Sequence, residues 1–507
     1  MRLSAVAVVL LTAAVAAPSF LVPAQAASQT TGSMTSFDGT SIVYTLFLPE
    51  GASAESPVPA VLMTHGWAGS RTATPTGAVA RLLGAGFAVL TWDSRGFGQS
   101  GGFVELDSPA YEVKDTMALV DLLAANDAIL QDDAGDPRVG MTGGSYAGGI
   151  QLLTAAFDPR IDAITPDITW NDLRQSLDPN GVPKLLWVEA LFGAGVATGT
   201  TGGLQNAGGP EPRSYDLNLP TWWAEAHATN SLTPEAQEGL RERSAVAWME
   251  SIRAPALITQ GLPDTLFNPN EAVANYEGLR ARGVDASLLL YCGGHAGCPY
   301  VADNAHVNEA VLDWLGHYLS NRDLGHTDNV EWQTNDGAWH TASQWPPVNA
   351  DWKSASATIT LASTPAPTGG GGFAVSAGGV GAQTPDAPVQ DQTVTSQLVP
   401  IAQGPLTANG IGHVHLEVSG IGTEAFLFFR LVDATDGTVL DGQTQAFRVP
   451  VSPFSVSRAD VDLVGVSYII PEGHTLALQV STSDIAHATN RQPGLYDIVL
   501  TVEVPTS

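Results

Sequence analysis

Short apolar runs alternate with longer amphipathic stretches between about residues 38 and 320. The apolar runs have the length of buried strands, and they predict strands at 41–49, 60–64, 87–92, 138–142, 161–165, 256–259 and 286–291. Between them, apolar residues recur at the spacing of one helix face, which predicts helices at about 110–125, 146–157, 270–282 and 304–319. Strands that alternate with helices form a parallel sheet wrapped by helices, so an α/β fold is predicted here.

Residues 168–248 interrupt this alternation. The segment combines a Gly-rich stretch at 199–209 with four tryptophans, which are Trp170, Trp187, Trp222 and Trp223. We interpret it as a helical cap inserted between two strands, because the carboxyl edge of an α/β sheet is where ligands bind and insertions there cover the site. The tryptophans either pack the core of the cap or line a substrate pocket, and the sequence leaves both roles open.

The last third of the chain has a different pattern. After residue 350 the composition changes to Val, Thr, Ser and Gly in alternating runs without a convincing helix, and a stretch rich in Gly, Pro and Ala lies near the junction at 362–387. Short alternating runs separated by turn residues are typical of strands in a β-sandwich. We therefore predict an α/β domain at 27–349, with its cap at 168–248, and an all-β sandwich at 350–507.

The charge of the chain excludes nucleic acid as a partner. The 507 residues include 21 Lys and Arg against 51 Asp and Glu, a net charge of −30, and no basic cluster occurs along the chain. A protein that follows phosphates needs an excess of basic residues on at least one face, and binding to an anionic membrane needs the same. Two Cys are too few for a disulfide scaffold or for a zinc site made of Cys.

The first 26 residues have the features of a secretory signal peptide. Arg2 supplies a positive start, a long apolar run follows, and Ala24-Gln25-Ala26 has the small-x-small pattern of a cleavage site. Pro18 and Pro23 interrupt the apolar run before it reaches the roughly 20 residues of a membrane span, which disfavours an anchor. We expect a mature protein that is exported and extracellular, with the signal peptide cleaved near Ala26.

Candidate chemistry begins with MTGGSYAGG at 141–149, between a predicted strand and a predicted helix. A nucleophilic Ser at such a tight turn needs small neighbours, and the helix N-terminus favours the negative charge that develops during attack. Ser145 is therefore the predicted nucleophile. The segment departs from the usual G-x-S-x-G pattern, because Ala147 occupies the last Gly position and Gly148 follows.

A Ser hydroxyl needs a base, and the base needs an orienting carboxylate. In a fold of this type the order along the chain is Ser, acid, His. His295 follows a predicted strand between glycines, and Asp264 follows the preceding strand, so both fit. Asp167 is the rival acid. The alternatives are a capping role for Asp264 and a solvent-exposed loop position for His295.

Two main-chain N–H groups are the predicted donors to the oxyanion of a tetrahedral intermediate. One belongs to Tyr146, directly after the nucleophile, and the other to Trp67, in the loop HGWAGS at 65–70. The indole of Trp67 then either lines the pocket or packs in the core. Cys292 and Cys298 flank His295 and are expected to form a disulfide that holds this loop. The proposed chemistry requires no metal and no cofactor.

These segments resemble a known family. The resemblance rests on GGSYAG at 143–148, DSRGFGQSGG at 93–102, Asp264 and His295, together with EWQTNDGAWHTASQWPP at 331–347 and RLVDATDGTVLDG at 430–442. They are similar to the cocaine-esterase and X-prolyl dipeptidyl-peptidase (CocE/NonD) group of α/β-hydrolases. The resemblance implies an α/β-hydrolase domain, a C-terminal jelly-roll, and Ser145, Asp264 and His295 as nucleophile, acid and base.

One departure from that family affects the expected substrate. Members often have a Tyr in the oxyanion loop, where this chain has Trp67, and no carboxylate pair for a substrate's free amino terminus can be identified. The expected function is a serine hydrolase that cleaves a small-molecule ester or peptide through an acyl-enzyme, with an ester favoured. An X-prolyl dipeptidyl-peptidase is the alternative within this class. A non-catalytic module that binds an extracellular polymer is the alternative of another class.

Overall fold

The computed structural model describes residues 26–205, 214–323, 329–363, 395–488 and 490–507. Residues 1–25 of the predicted signal peptide and most of the Gly-rich junction at 362–387 lie outside these residues. Within the described ranges, no helix has the length and apolar character needed to cross a membrane.

The α/β region and its cap contain the first fourteen strands and all ten described α-helices. In chain order they are β1 (Ala26–Thr35), β2 (Ser41–Pro49), β3 (Ala60–Met63), α1 (Gly77–Gly84), β4 (Ala88–Trp92), β5 (Phe103–Val104), α2 (Glu112–Ala124), β6 (Gln131–Asp133), β7 (Asp136–Pro137), β8 (Val139–Gly144), α3 (Tyr146–Phe157), β9 (Ile161–Asp167), α4 (Leu173–Leu177), α5 (Leu185–Gln205), β10 (Ser214–Tyr215), α6 (Asn218–Thr229), α7 (Pro234–Glu242), α8 (Ala245–Trp248), β11 (Ala256–Gly261), α9 (Pro269–Arg280), β12 (Ala286–Tyr291), α10 (Asn304–Ser320), β13 (Val330–Gln333) and β14 (Trp339–Ala342).

A ten-stranded sheet in the order β1-β2-β4-β3-β8-β9-β11-β12-β13-β14 forms the centre of this region. The strands from β4 to β13 pair in parallel, and antiparallel strands flank them on both edges. Successive residues point into two apolar cores: Leu62 and Leu90 belong to one, and their neighbours Val61 and Val89 to the other. Burial on both faces explains why these strands are continuous apolar runs in the sequence.

The chain leaves the sheet after β9 and returns to it at β11. Between them, α4 to α8 form the predicted helical cap, whose aromatic side chains pack with residues of the sheet's carboxyl edge in a separate apolar cluster. Trp170, Trp187 and Trp222 are buried in this cluster. The cap therefore covers the carboxyl edge of the sheet, where the loops after β3, β8 and β11 begin.

Two antiparallel sheets follow from Asp351 onward. Their strands are β15 (Asp351–Ser363), β16 (Ser396–Gln403), β17 (Leu406–Gly410), β18 (His413–Ile421), β19 (Glu424–Asp433), β20 (Thr438–Val439), β21 (Gln445–Pro450), β22 (Ser457–Asp462), β23 (Val466–Ile470), β24 (Thr475–Ser481) and β25 (Gly494–Thr506). One sheet has the order β22-β18-β25-β17-β23 with β15 paired to β25, and the other has the order β16-β24-β19-β20 with β21 paired to β19. Their inner faces share one apolar core, as in a sandwich.

This β-sandwich contacts both the α/β region and the cap. The side-chain amide of Asn270, at the start of α9, donates to the carbonyl oxygen of Leu463 at 2.9 Å and accepts from the N–H of Gly465 at 2.9 Å. The N–H of Leu186 in α5 donates to the carbonyl oxygen of Ala486 at 3.0 Å. The sandwich is thus joined by hydrogen bonds to the two parts of the chain that surround Ser145.

Candidate active site

Ser145 lies at the tip of the turn between β8 and α3. Its backbone has φ 60° and ψ −123°, a region that costs a residue with a side chain of order 1–3 kcal/mol and that is found at functional sites. A Cβ on Gly143 would lie 2.8 Å from the Cβ of Ala147. Glycine at 143 therefore leaves room for Ala147, which occupies the last position of the G-x-S-x-G pattern.

Three side chains meet at this turn in one chain of hydrogen bonds. Nε2 of His295 lies 2.8 Å from Oγ of Ser145, and Nδ1 of His295 lies 2.6 Å from Oδ2 of Asp264. An ionised carboxylate can only accept, so Nδ1–H donates to Asp264 and Nε2 is left to accept from the Ser145 hydroxyl. The Asp264 side chain is fully buried and that of His295 is 15% exposed. The structure thus brings Ser145, His295 and Asp264 together.

The loops that carry His295 and Asp264 pack closely against each other. Oδ1 of Asp264 accepts from the N–H groups of Leu266 and Phe267 at 2.9 and 3.2 Å, and Oδ2 also accepts from the N–H of His295 at 3.2 Å. Gly294 has φ 109°, and a Cβ there would lie 2.6 Å from the Cβ of Asp264. Glycine before His295 therefore allows the imidazole to approach the carboxylate.

The surroundings of His295 change its basicity. Burial by itself lowers the pKa of the imidazole, but the charge and hydrogen bond of Asp264, together with the charge of Asp167, outweigh burial and raise the pKa above 6.5. A base with a raised pKa holds a proton more firmly after taking it from the nucleophile.

Asp167, the rival acid in the sequence, lies beside this chain of hydrogen bonds. Its carboxylate accepts from the hydroxyl of Thr259 at 2.8 Å and from that of Tyr291 at 3.0 Å. Its carbonyl oxygen accepts from the N–H of Ser145 at 2.9 Å. Burial raises the pKa of Asp167 to about 6. Asp167 thus supports the turn and adds charge near His295, while Asp264 makes the hydrogen bond to the imidazole.

Trp67 and Tyr146, the predicted oxyanion donors, lie next to each other, with ring centroids 5.2 Å apart. The main-chain N–H of Tyr146 is in the first turn of α3, where N–H groups have no acceptor within the helix. The indole N–H of Trp67 donates to the carbonyl oxygen of Leu191 in the cap at 2.7 Å. The side chain of Trp67 therefore connects the loop after β3 to the cap, and the role of its main-chain N–H as an oxyanion donor stays a prediction.

Two residues that form hydrogen bonds with the Tyr146 hydroxyl were not predicted from the sequence. The Tyr146 hydroxyl donates to Glu112 at 3.3 Å and accepts from the N–H of Asp107 at 3.3 Å. Burial raises the pKa of Glu112 to about 8 and that of Asp107 well above its ordinary value. In the sequence these carboxylates only mark the start of a helix, so no local signal connects them to Ser145.

A cavity of about 140 Å³ opens beside Ser145, between the cap and the carboxyl edge of the sheet. Its lining includes Trp67, Trp170, Trp222 and Trp223, so cap tryptophans both pack the cap core and line the cavity. Trp187 instead packs against the ring of His295, with centroids 5.8 Å apart. Among the described residues, the lining contains no Asp, Glu, Lys, Arg or His. The site therefore offers an apolar cavity next to Ser145.

Cys292 and Cys298 are joined by a disulfide, with their Cα atoms 5.0 Å apart. The bond closes the loop that presents His295. Among the described residues, one group of side chains has metal-ligand spacing: Asp433, Asp436 and His474 of the β-sandwich. Nδ1 of His474 lies 2.6 Å from Oδ2 of Asp433, so a His–Asp hydrogen bond accounts for much of this arrangement.

Comparison with known proteins places the chain in a family. The sequence profile of the X-Pro dipeptidyl-peptidase (S15 family) matches residues 38–297, and that of the X-Pro dipeptidyl-peptidase C-terminal non-catalytic domain matches residues 323–500. Dipeptidyl aminopeptidase BIII of Pseudoxanthomonas mexicana is 25% identical over 301 residues, which cover 56% of this chain and 38% of that protein. The chain spans 38% to 43% of the length of the curated relatives it matches.

Solved structures share the whole architecture. An α-amino acid ester hydrolase has a TM-score of 0.70 at 15% identity, with 97% of this chain and 100% of that chain covered. A CocE/NonD family hydrolase from Staphylococcus aureus has a TM-score of 0.67 at 14% identity, with 94% and 92% covered. At these identities the likeness concerns the fold. The family profile spans half of the sequence, and the chain therefore belongs to the X-Pro dipeptidyl-peptidase (S15) family.

Proposed function

We propose that this protein is an exported carboxylester hydrolase in which Ser145, His295 and Asp264 form the catalytic triad. The observation that carries the proposal is the chain of hydrogen bonds from Oγ of Ser145 through the imidazole to the buried carboxylate of Asp264. In this arrangement the hydroxyl proton of Ser145 can pass to the imidazole of His295, which is the transfer that formation of an acyl-enzyme needs.

In the proposed mechanism, Ser145 attacks the acyl carbonyl while Nε2 of His295 takes the hydroxyl proton. The negative charge that forms on the carbonyl oxygen is stabilised by the N–H groups of Trp67 and Tyr146. The protonated imidazole, stabilised by Asp264, then gives its proton to the leaving alcohol, and the acyl-enzyme remains. Water, deprotonated by His295, releases the acid and restores the hydroxyl of Ser145.

The cavity favours an ester of an apolar, uncharged acid. An X-prolyl peptidase must bind the ammonium group of its substrate, and burying an unpaired charge costs several kcal/mol. The described lining of the cavity beside Ser145 contains no carboxylate that would pair with an ammonium. Aromatic and aliphatic side chains instead favour an alkyl or aryl acyl group through burial of apolar surface. The family match keeps X-prolyl dipeptide release as the second candidate.

Replacement of Ser145 by Ala tests the mechanism. The variant should lose hydrolysis of an aryl butyrate by roughly 10⁶-fold, because the step that forms the acyl-enzyme is gone. Its fold should remain intact, as judged by circular dichroism and thermal unfolding. Turnover retained by the variant would remove Ser145 from the mechanism.

A parallel substrate assay tests the choice of substrate. The same preparation receives an aryl butyrate and an X-prolyl anilide, and their kcat/KM values are compared. We expect the ester to be preferred by at least about tenfold, which corresponds to 1.4 kcal/mol of transition-state binding. A higher kcat/KM for the anilide would reverse the assignment in favour of the peptidase.

Export is supported by the signal-like sequence at 1–26 and by the disulfide between Cys292 and Cys298, since disulfides persist in oxidising compartments. Expression of the full sequence in a secreting bacterial host, followed by sequencing of the mature N-terminus, tests it. The expected mature chain starts at about Ala27. A protein that stays in the cytoplasm with residues 1–26 intact would contradict export.

A further inference from the structure

The carboxylate of Asp264 is carried by the short segment 262–267 between β11 and α9. Side chains of the β-sandwich, the cap and the adjoining strand β11 donate hydrogen bonds to this segment. The closest of these contacts comes from the β-sandwich. Nε2 of Gln443 donates to the carbonyl oxygen of Leu262 at 2.6 Å and to that of Asp264 itself at 2.9 Å. Gln443 is 4% exposed, so both hydrogen bonds are shielded from water.

The cap and the central sheet provide the other contacts. Nζ of Lys184, just before α5, donates to the carbonyl oxygens of Thr265 and Leu266 at 2.9 Å each. Nε2 of Gln260, in β11, donates to the carbonyl oxygen of Phe267 at 2.7 Å. Five carbonyl groups of the segment therefore accept from side chains.

Such contacts fix the direction of Asp264 more firmly than the segment can by itself. A buried carbonyl that loses its donor costs about 1–3 kcal/mol, so the segment would rearrange to recover the lost hydrogen bonds. Because the carbonyl group and the carboxylate of Asp264 belong to one residue, any rearrangement there moves Oδ2 relative to Nδ1 of His295. Those atoms lie 2.6 Å apart, so a small displacement of the backbone at Asp264 would lengthen their hydrogen bond.

We propose that Gln443 is a positioning residue for the catalytic acid: through its two hydrogen bonds, the C-terminal β-sandwich holds Asp264 in line with His295. The proposal rests on the triad proposed above. The proposal gives the β-sandwich a role in catalysis, although none of the three residues hydrogen-bonded at Ser145 belongs to the β-sandwich.

Gln443→Met tests the proposal in the full chain, because Met has a similar length but no donor. Asn270→Met is the matched control: it also removes two hydrogen bonds between the α/β region and the β-sandwich, to Leu463 and Gly465, and neither touches the Asp264 segment. Active sites are counted by titration with a fluorophosphonate, so that only folded enzyme enters kcat. Thermal unfolding reports the stability of both variants.

Gln443→Met should lower kcat at least about tenfold with KM changed less than about threefold, since a misaligned acid weakens the transition state more than substrate binding. The pH midpoint of kcat/KM should also fall, because the carboxylate of Asp264 raises the pKa of His295. The neighbouring charges that stay in place are Asp167, which faces His295, and Lys184, which faces the Asp264 segment. Asn270→Met should have a kcat within about twofold of the wild-type value and the wild-type pH midpoint.

A Gln443→Met enzyme with the kcat and pH midpoint of the wild type would overturn the proposal, and so would equal losses in both variants. If Gln443→Met yields no folded protein, Gln443→Asn replaces it, because its shorter amide cannot reach both carbonyls. Wild-type kcat and midpoint in that variant would also overturn the proposal. Failure of the triad itself is distinguishable, because the wild type would then not react with the fluorophosphonate.

Discussion

His295 is the residue whose ionisation should control the reaction. In the proposed mechanism its neutral form accepts the proton of Ser145. Its pKa is raised above 6.5 because the charge and hydrogen bond of Asp264, together with the charge of Asp167, outweigh the effect of burial. A raised pKa means that the protonated, inactive form persists to higher pH. We therefore expect kcat/KM for an aryl ester to rise with pH through a midpoint above 6.5, and a pH–rate profile measures it. A midpoint below 6.5 would contradict the proposed environment.

The two neighbouring carboxylates should differ sharply in effect. Asp264→Asn removes the charge that stabilises the imidazolium and disturbs the tautomer, so kcat should fall by roughly 10⁴-fold. Asp167→Asn is the matched control, because it removes a nearby charge that makes no hydrogen bond to the imidazole. That variant should keep kcat within about tenfold and shift the midpoint to lower pH. Equal losses of kcat would make Asp167 a functional acid.

At this scale the sequence predicts the nucleophile and base more sharply than the acid. Ser145 follows from its strand–turn–helix context, whereas Asp167 and Asp264 both follow strands that end at the same edge. In the structure Asp264 contacts the imidazole, whereas the carboxylate of Asp167 accepts hydrogen bonds from Thr259 and Tyr291, which belong to two other strands. Such contacts are tertiary and leave no local pattern, and their catalytic roles stay predictions until the variants are measured.

Among the loops, the one that carries His295 is closed by a disulfide whose effect can be measured. Cys298→Ser should lower the free energy of unfolding by about 2 kcal/mol, because a short covalent loop restricts the unfolded chain. Ser keeps an acceptor at the position where Sγ of Cys298 accepts from the N–H of Tyr300 at 3.3 Å. Urea unfolding with and without dithiothreitol measures the change. The reductant should bring the wild type to the stability of the variant, and an unchanged wild type would contradict this.

Strands buried on both faces were predictable, and edge strands were not. The predicted strands at 41–49 and 286–291 match β2 and β12 at both ends, because continuous apolar runs mark them. The edge strand β1 is largely polar and exposed, so AASQTTGSMT has no pattern of a strand. The hairpin of β13 and β14 extends the sheet within the segment 331–347, where the motif resemblance gave no secondary structure.

The cavity beside Ser145 depends on the whole molecule, because its walls come from separate regions of the chain. Trp67 of the loop after β3 packs against Tyr215 from the cap, with ring centroids 5.9 Å apart, and Leu266 and Phe267 come from the segment that carries Asp264. The sequence located the cap and its tryptophans but left their role open. Which faces of the cap helices line a cavity is decided by how the cap packs on the sheet, and helical periodicity alone does not encode that.

This assembly predicts a preference for longer acyl chains. Each methylene buried in the cavity contributes up to about 0.8 kcal/mol, so kcat/KM should increase by up to about fourfold per methylene from aryl acetate to aryl hexanoate. Ala226 in α6 is 5% exposed and lines the cavity. Ala226→Phe should fill this space and lower kcat/KM for the hexanoate at least about tenfold, with less effect on the acetate.

Ala224→Phe is the matched control, because Ala224 lies on the exposed side of the same helix. It should leave the dependence on chain length unchanged, which separates cavity volume from general disturbance of α6. Equal responses of acetate and hexanoate to Ala226→Phe would mean that the acyl chain binds outside the cavity. The apolar lining would then belong to the alcohol side of the ester, and a series of alcohol chain lengths with a fixed acetate would show the preference instead.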